Sequence, residues 1–199
     1  MPSPIHAWVD SMFPNGGFFV EAGAHDGVGD SQTYALELTG RWSGLCIEPS
    51  LAFSGLRKSR TCEIDNRPLW ACNTDVMFRE VDGEARELSG ITGSFQDDGW
   101  DRDLRSHRDS IKAAVTLTRL LDEHRAPAVI QFLALDTEGS EFAILGAHEF
   151  DRFAFETILV EHNGVESRVA ELKDLLSAVG MALMARTECD ALFISGGTC

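Results

Sequence analysis

The chain has 199 residues, 44% of them hydrophobic and 25% charged, and its 17 basic and 32 acidic side chains give a formal net charge of −15. This length and composition predict one globular domain over residues 1–199 and exclude collagen-like, coiled-coil and disordered chains. Because such an excess of acid repels phosphate backbones, nucleic acid is not expected as a partner.

The apolar segments and the cysteines bear on where the protein works. No apolar run approaches the roughly 18 residues of a membrane span. The first twenty residues contain no Lys or Arg and no long apolar segment, so we expect no secretory signal. An odd number of cysteines without a C-x-x-C pair argues against a disulfide framework or a thiolate metal site and predicts a cytoplasmic protein. The cysteines are Cys46, Cys62, Cys72, Cys189 and Cys199.

The first third of the chain alternates between helical and strand patterns. Apolar residues at helical spacing or in short buried runs are separated by Gly, Pro and Asn. The pattern predicts helices at 4–13, 31–38 and 50–58 and strands at 18–20, 45–47 and 61–67. Such a β-α-β-α-β series is typical of a parallel sheet with helices on both faces.

The middle of the chain reads differently. Apolar runs at 76–78 and 85–88 flank Asp82-Gly83, which predicts a β-hairpin. The stretch 92–112 is polar and predicts a long loop, either a lid over a substrate or a tolerated surface insertion. We therefore expect an insertion of a hairpin and a polar loop at about 75–112.

The alternation resumes after this insertion. Helices are predicted at 117–124, 141–148 and 169–179, and strands at 129–135, 157–160, 181–185 and 191–195. The last two strands lie six residues apart and predict an antiparallel closing pair.

Polar residues follow almost every predicted parallel strand. Ligands of open α/β sheets bind beyond the carboxyl ends of the strands, near the point where the strand order reverses. These residues are therefore the first to consider for a site. They are Glu21, Glu48, Asp65, Asn66, Asp136, Glu138, Glu161, His162 and Asn163.

The loop after the first strand is rich in glycine but matches neither of the common phosphate-binding motifs. A dinucleotide fingerprint that began at Gly23 would need glycine where His25 stands, and no G-K-[ST] follows to make a P-loop. Glu48, 27 residues after Glu21, suits an acid that accepts the ribose hydroxyl protons of an adenosine. These features favour a nucleoside cofactor without a pyrophosphate. S-adenosylmethionine fits, and its sulfonium cation tolerates nearby carboxylates.

Several segments resemble one family in order, from about residue 16 to residue 194. They read FFVEAGAHDG, SQT, CIEPS, LALDTEGSEFAILGA and ILVEHN. In these segments the chain is similar to the FkbM-type family of S-adenosylmethionine-dependent methyltransferases. The resemblance implies a class I Rossmann-like fold, with a mostly parallel seven-stranded sheet, helices on both faces and a C-terminal antiparallel hairpin. It also implies methylation of hydroxyl groups on sugars, polyketides and other products of secondary metabolism.

The same resemblance implies a set of cofactor-binding residues. Acidic residues and glycines would contact the methionyl part, the ribose and the adenine, with Glu48 on the ribose and Asn66 near the adenine. His25 is expected to shape the glycine loop, and Asp136 belongs to the D-x-E motif after the fourth strand. The set is Glu21, Gly23, His25, Gly27, Ser31, Glu48, Asn66 and Asp136.

An unactivated hydroxyl acceptor needs a general base. His162 follows a strand at the expected functional edge and lies beside Glu161, and imidazole is a common general base, so we predict it as the base. Asp136 and Glu138 are the alternative bases, or ligands of the cofactor's amino group. No metal is expected, although Asp136, Glu138, Glu161 and His162 could bind a divalent cation if they converge.

Three other functions compete with this one. A nicotinamide oxidoreductase would need Tyr-x-x-x-Lys, but four residues after Tyr34, the single tyrosine, stands Leu38. An N-methyltransferase acting on a peptide-type natural product and a cofactor-binding module without catalysis both stay open. The acceptor is expected to be a small molecule, and the oligomeric state is left open.

Overall fold

A computed structural model describes residues 4–29, 31–94 and 106–196. Its ten strands are β1 (Phe18–Ala22), β2 (Ser43–Ile47), β3 (Glu63–Asp65), β4 (Thr74–Val81), β5 (Gly90–Ile91), β6 (His107–Ala114), β7 (Val129–Leu135), β8 (Ala154–Glu161), β9 (Met181–Arg186) and β10 (Asp190–Ser195). Its α-helices are α1 (Pro4–Met12), α2 (Tyr34–Leu38), α3 (Phe53–Ser59), α4 (Leu117–Glu123), α5 (Glu141–Gly146) and α6 (Glu166–Ser177).

Seven strands form the main sheet in the order β3-β2-β1-β7-β8-β10-β9. Neighbours from β3 to β8 pair in parallel, and β10 pairs antiparallel with both β8 and β9. The predicted α/β class, with its mostly parallel sheet and closing antiparallel hairpin, is confirmed. The strand order reverses between β1 and β7, so a crevice is expected at the carboxyl ends of these two strands.

The central strands β1, β2, β7 and β8 are apolar almost throughout and are largely buried on both faces of the sheet. One face packs against α1, α2 and α3 through Val9, Leu36 and Leu56. The other face packs against α4, α5 and α6, whose apolar stripes include Leu120 and Leu172. This two-sided burial explains why β7 is a continuous apolar run and not an alternating one.

The middle of the chain differs from the prediction. Residues 83–88 form a 3₁₀ helix instead of the second strand of a hairpin, and β4 pairs with β5 and with β6 in a separate three-stranded antiparallel sheet. The Asp82-Gly83 signal marks a turn, but the main partner of β4 lies farther along the chain, in a stretch predicted as loop. The part of that loop at 95–105 lies outside the described residues.

The small sheet is tied to the main sheet beside the end of β2. Lys112 of β6 forms an ion pair with Glu80 of β4 at 2.7 Å and also contacts the Pro49 carbonyl oxygen. The second Glu80 oxygen accepts a hydrogen bond from the Leu51 backbone N–H at 3.1 Å. The inserted sheet is thereby fixed to the loop that follows Glu48.

Within the described ranges, no helix combines the length and apolar character that crossing a membrane requires.

Gly23 makes a very close backbone contact at the point where the strand order reverses. It follows β1 with φ of +86°, and a Cβ there would lie 1.7 Å from the Asp136 carbonyl oxygen. Only glycine allows the chain to leave β1 and pass this close to the end of β7.

We expect Gly23→Ala to lower the free energy of unfolding by about 2–5 kcal/mol, from left-handed backbone strain and overpacking together. Gly40 is a matched control, because it has φ of +70° but a Cβ added there would have nothing within 4 Å. Gly40→Ala should cost only the strain of about 1–2 kcal/mol. Urea denaturation measures both, and equal losses would contradict the steric argument.

Candidate active site

A cavity of about 680 Å³ opens at the carboxyl edge of the main sheet, where the strand order reverses. Its walls come from the loops after β1, β2, β7 and β8 and from the inserted sheet with its 3₁₀ helix. This volume lies within the range of small-molecule sites.

Glu48 stands on one side of the cavity and is buried at its wall. One carboxylate oxygen accepts the His25 backbone N–H at 2.8 Å, and the other accepts the Ser50 backbone N–H at 2.7 Å. Each oxygen retains a lone pair after these bonds. Glu48 is thus fixed in orientation and can still accept hydrogen bonds from a ligand.

An apolar wall adjoins Glu48. It combines residues of the loop after β2, the segment after β3 and the inserted sheet, and such a wall suits a flat aromatic ring. The residues are Ile47, Pro49, Pro68, Leu69, Phe78, Leu88 and Ile91. Asn66, predicted near an adenine, is exposed and not among the described lining residues, whereas Pro68 and Leu69 are.

Glu21 points into the protein beneath the glycine loop and is 3% exposed. Its oxygens accept hydrogen bonds from the hydroxyls of Ser31 at 2.8 Å and Thr33 at 2.7 Å, and from the Gln32 backbone N–H. The Ser31 hydroxyl oxygen also accepts a hydrogen bond from the backbone N–H of Tyr34 at 3.1 Å. Helix α2 begins at Tyr34 and not at Ser31. Glu21 and Ser31 organise the loop from below.

Arg60, at the end of α3, neutralises Glu21. Its guanidinium lies 3.3 Å from the Glu21 carboxylate, is bonded to Glu37 and donates to the Gly27 carbonyl oxygen at 3.3 Å. Burial disfavours the guanidinium charge, but Cys46 and Glu21 outweigh it and raise the pKa of Arg60 above its ordinary value. The buried charge is therefore retained and connects the glycine loop to α3.

Three carboxylates converge on the other side of the cavity. Oxygens of Asp136, Glu138 and Glu161 all lie within 4.8 Å of one another. Such a group could also accept a divalent cation. His162, the fourth residue considered for such a site, is not in the group, and the expectation of no metal stays a prediction.

The carboxyl groups of Asp136 and Glu161 interact directly, and the interaction bears on the pKa values of both. Asp136 is open to the cavity, yet the surrounding protein limits its hydration, and this together with repulsion from Glu161 raises its pKa well above the usual range. Burial and repulsion from Glu138 raise the pKa of Glu161 to about 8. These values belong to the pair, because each proton lost changes the affinity for the next.

The loop after β7 is folded around Glu141. This carboxylate accepts the backbone N–H groups of Thr137 at 2.7 Å and Gly139 at 3.2 Å, as well as the Thr137 hydroxyl at 2.9 Å. Between them, Glu138 has φ of +61°, a conformation that costs about 1–3 kcal/mol for a residue with a side chain. The second glutamate of the D-x-E-G-x-E motif thus stabilises a loop that presents Glu138 to the cavity.

His162 lies beside this group but not in the cavity. Its ring is 0% exposed, its Nδ1 accepts the Gly164 backbone N–H at 3.2 Å, and within the described chain its Nε2 meets no hydrogen-bond partner. The lining at this point comes from Glu161, Asn163 and Gly164. The assignment of His162 as the base stays a prediction, and the carboxylate pair is the better placed group.

The structure divides the predicted site residues into two sets. The residues that line the cavity are Gly23, His25, Glu48, Asp136 and Glu138. Those that lie outside the described lining are Glu21, Gly27, Ser31, Asn66 and His162. Arg60 and Glu141 were missed as supporting residues; only the D-x-E-G-x-E spacing could have suggested Glu141, and nothing in the sequence marks Arg60.

Comparison with known proteins agrees with this architecture. The family model described as the methyltransferase FkbM domain matches residues 21–189. No curated protein matches the chain. Among solved structures, the chain is similar to a candidate RNA methyltransferase from Pyrococcus horikoshii, with 9% identity, a TM-score of 0.50, and coverage of 96% of this chain and 79% of that one. At such low identity the likeness concerns the fold alone.

The buried charges beneath the glycine loop generate a stability prediction. Arg60→Ala leaves Glu21 and Glu37 without their cation and should lower the free energy of unfolding by about 3–5 kcal/mol. Arg57→Ala, on the exposed side of the same helix, should change it by no more than about 0.5 kcal/mol. Denaturant unfolding of both variants is the measurement, and similar losses would show that Arg60 is not the supporting cation.

Proposed function

The chain belongs to the FkbM family of methyltransferases, and from that membership we propose that it transfers a methyl group from S-adenosylmethionine to a hydroxyl of a small metabolite. One observation carries the proposal. The same cavity holds both an acid suited to ribose, Glu48, and two neighbouring acids with raised pKa values, Asp136 and Glu161.

The residues present fit this cofactor. Glu48 would accept the ribose hydroxyls through its remaining lone pairs, and the apolar wall from Ile47 to Leu69 would contact the adenine. The charged residues of the described lining are mostly carboxylates, and the glycine loop carries no phosphate-binding motif, which favours a phosphate-free and cationic ligand. When bound, S-adenosylmethionine supplies a methyl group on an already activated sulfonium.

The Asp136–Glu161 pair would remove the acceptor's proton. An ordinary carboxylate, with a pKa near 4, is a weak base for an alcohol, whereas a group that titrates near the working pH is better matched. The pKa of Glu161 is raised to about 8, close to the working pH. The ionised Glu161 carboxylate could take a proton from a hydroxyl that lies between it and the cofactor side of the cavity.

The size and charge of the cavity favour a small acceptor. Its 680 Å³ suffices for the cofactor and a compact second ligand. The net charge of −15 disfavours a polyanionic acceptor. A nucleic-acid substrate is therefore not proposed, although the structural neighbour is described as a candidate RNA methyltransferase.

An amine acceptor is the second candidate, because the lining is strongly acidic. The described lining carries six carboxylates and one arginine, Arg86, and this excess of negative charge would also attract a protonated amine. The six are Glu48, Glu87, Asp136, Glu138, Glu161 and Glu188. A methyl-transfer assay over paired alcohol and amine acceptors separates the two, and silence toward all of them despite tight cofactor binding would indicate a module without catalysis.

Cofactor binding tests the role of Glu48. Titration calorimetry of the unaltered protein should detect S-adenosylmethionine, and Glu48→Gln should weaken binding about 10- to 100-fold, because it removes a charged hydrogen-bond acceptor. Glu63→Gln, an exposed acid on the neighbouring strand β3, should leave the affinity unchanged. Absence of binding by the unaltered protein would overturn the proposed function.

The pH dependence of kcat tests the acid pair. Because Glu161 must lose its proton to act as a base, the rate should be low below pH 8 and rise through an apparent pKa of about 8. Glu161→Gln should lower kcat about 10²-fold or more and abolish this rise. The exposed Glu171→Gln should retain both the rate and the profile.

One outcome of these pH profiles would assign the base to His162 instead of the acid pair. If Glu161→Gln keeps the rise near pH 8 and His162→Asn loses it, the base is His162. Repeating the profile with a chelator and with added Mg²⁺ determines whether the three carboxylates work with a metal.

A further inference from the structure

Cys46 and Cys62 meet beneath the glycine loop. Their sulfurs lie 3.6 Å apart, although the residues are 16 positions apart in the chain and form no recognisable spacing motif. Cys46 lies on β2 and is fully buried, whereas Cys62 lies just before β3 and is half-buried. One thiol of the pair is thus accessible from outside and the other is not.

We propose that Cys46 and Cys62 are a peroxide-sensitive dithiol whose oxidation to a disulfide weakens the cofactor site. A disulfide has an S–S distance of about 2.05 Å, so the sulfurs must approach by about 1.5 Å from their present 3.6 Å. The half-buried Cys62 can make most of this movement because it lies in a bend before β3.

The surroundings make Cys62 the attacking thiol. The hydrogen bond between the two thiols lowers the pKa of Cys62 against the effect of burial, and Arg60 lowers it further. The same hydrogen bond raises the pKa of Cys46, and burial and the charge of Glu21 raise it further, so that it lies well above its usual value. The accessible sulfur therefore carries more thiolate, which is the reactive form.

The reaction balances with a hydroperoxide as the two-electron oxidant. The Cys62 thiolate attacks one peroxide oxygen, the O–O bond breaks, and hydroxide or alkoxide leaves as Cys62 becomes a sulfenic acid. The Cys46 sulfur then attacks the Cys62 sulfur, an S–S bond forms, and the S–O bond breaks. The departing hydroxide takes the Cys46 proton and leaves as water, so both thiols are oxidised and the peroxide is reduced.

The pair is linked to the proposed cofactor site in two ways. The Cys46 thiol lies 3.7 Å from the Glu21 carboxylate, which holds Ser31 and Thr33 at the end of the glycine loop. Cys46 also stands two residues before Glu48 on the same strand. Disulfide formation removes the Cys46 S–H that donates to Glu21, and it bridges the strand that positions Glu48 to the segment before β3. This effect rests on the proposed function, whereas the disulfide itself does not.

The experiment compares the whole protein in its reduced form and after treatment with hydrogen peroxide. Peptide mapping without reduction should identify a Cys46–Cys62 disulfide, and titration calorimetry should show S-adenosylmethionine binding about tenfold weaker, reversed by dithiothreitol. Cys62→Ser should form no such bridge and keep its affinity after peroxide. Cys72→Ser, which removes an exposed cysteine outside the described lining, should respond like the unaltered protein.

The outcomes distinguish the two proposals. Absence of the Cys46–Cys62 bridge in a protein whose melting temperature shows that it is folded overturns the dithiol. A bridge that leaves the affinity unchanged, or a loss of affinity that persists in Cys62→Ser, overturns the link to the cofactor site. Failure of the reduced protein to bind S-adenosylmethionine overturns the proposed function, and the peptide map still decides the dithiol.

Discussion

The ion pair between Arg60 and Glu21 is the interaction on which the candidate site depends. Two opposite charges lie under the glycine loop, away from water, and each offsets the free-energy cost of burying the other. Glu21 ends β1 and binds the residues before α2, while Arg60 ends α3 and bonds to Glu37 of α2. One charge pair thereby fixes two helices and a loop against the central strand.

The acids around the sheet edge fall into two kinds with different physical roles. Glu21, Glu37 and Glu141 accept several hydrogen bonds from protein donors and stabilise the surrounding loops. Glu48 and the Asp136–Glu161 pair face the cavity and can still bind a ligand or a proton. All of them are carboxylates, so the same chemical group serves both to stabilise the loops of the site and to bind a ligand or a proton.

The sequence determines much of the fold and less of the site. The strand at 129–135 was predicted with its observed bounds, because a long apolar run between turn residues has few other interpretations. The hairpin around Asp82-Gly83 was wrong, since that signal is local while β4 pairs mainly with the distant β6. The carboxylates of Glu21 and Glu48 do lie at strand ends, as the sequence indicates. Glu21 points into the protein and Glu48 faces the cavity, and this difference depends on partners such as Arg60, which only the tertiary structure brings close to them.

The contact of Lys112 and Glu80 with the loop after β2 limits how this protein could change its specificity. The inserted sheet forms one wall of the cavity, and the same two residues connect that wall to the segment that follows Glu48. A change in the insertion that accommodates a different acceptor would therefore also shift Glu48, the residue proposed to bind the ribose of the cofactor. In evolution or in engineering, an exchanged insertion would retain the parent's cofactor affinity only if it carried its own equivalents of Glu80 and Lys112.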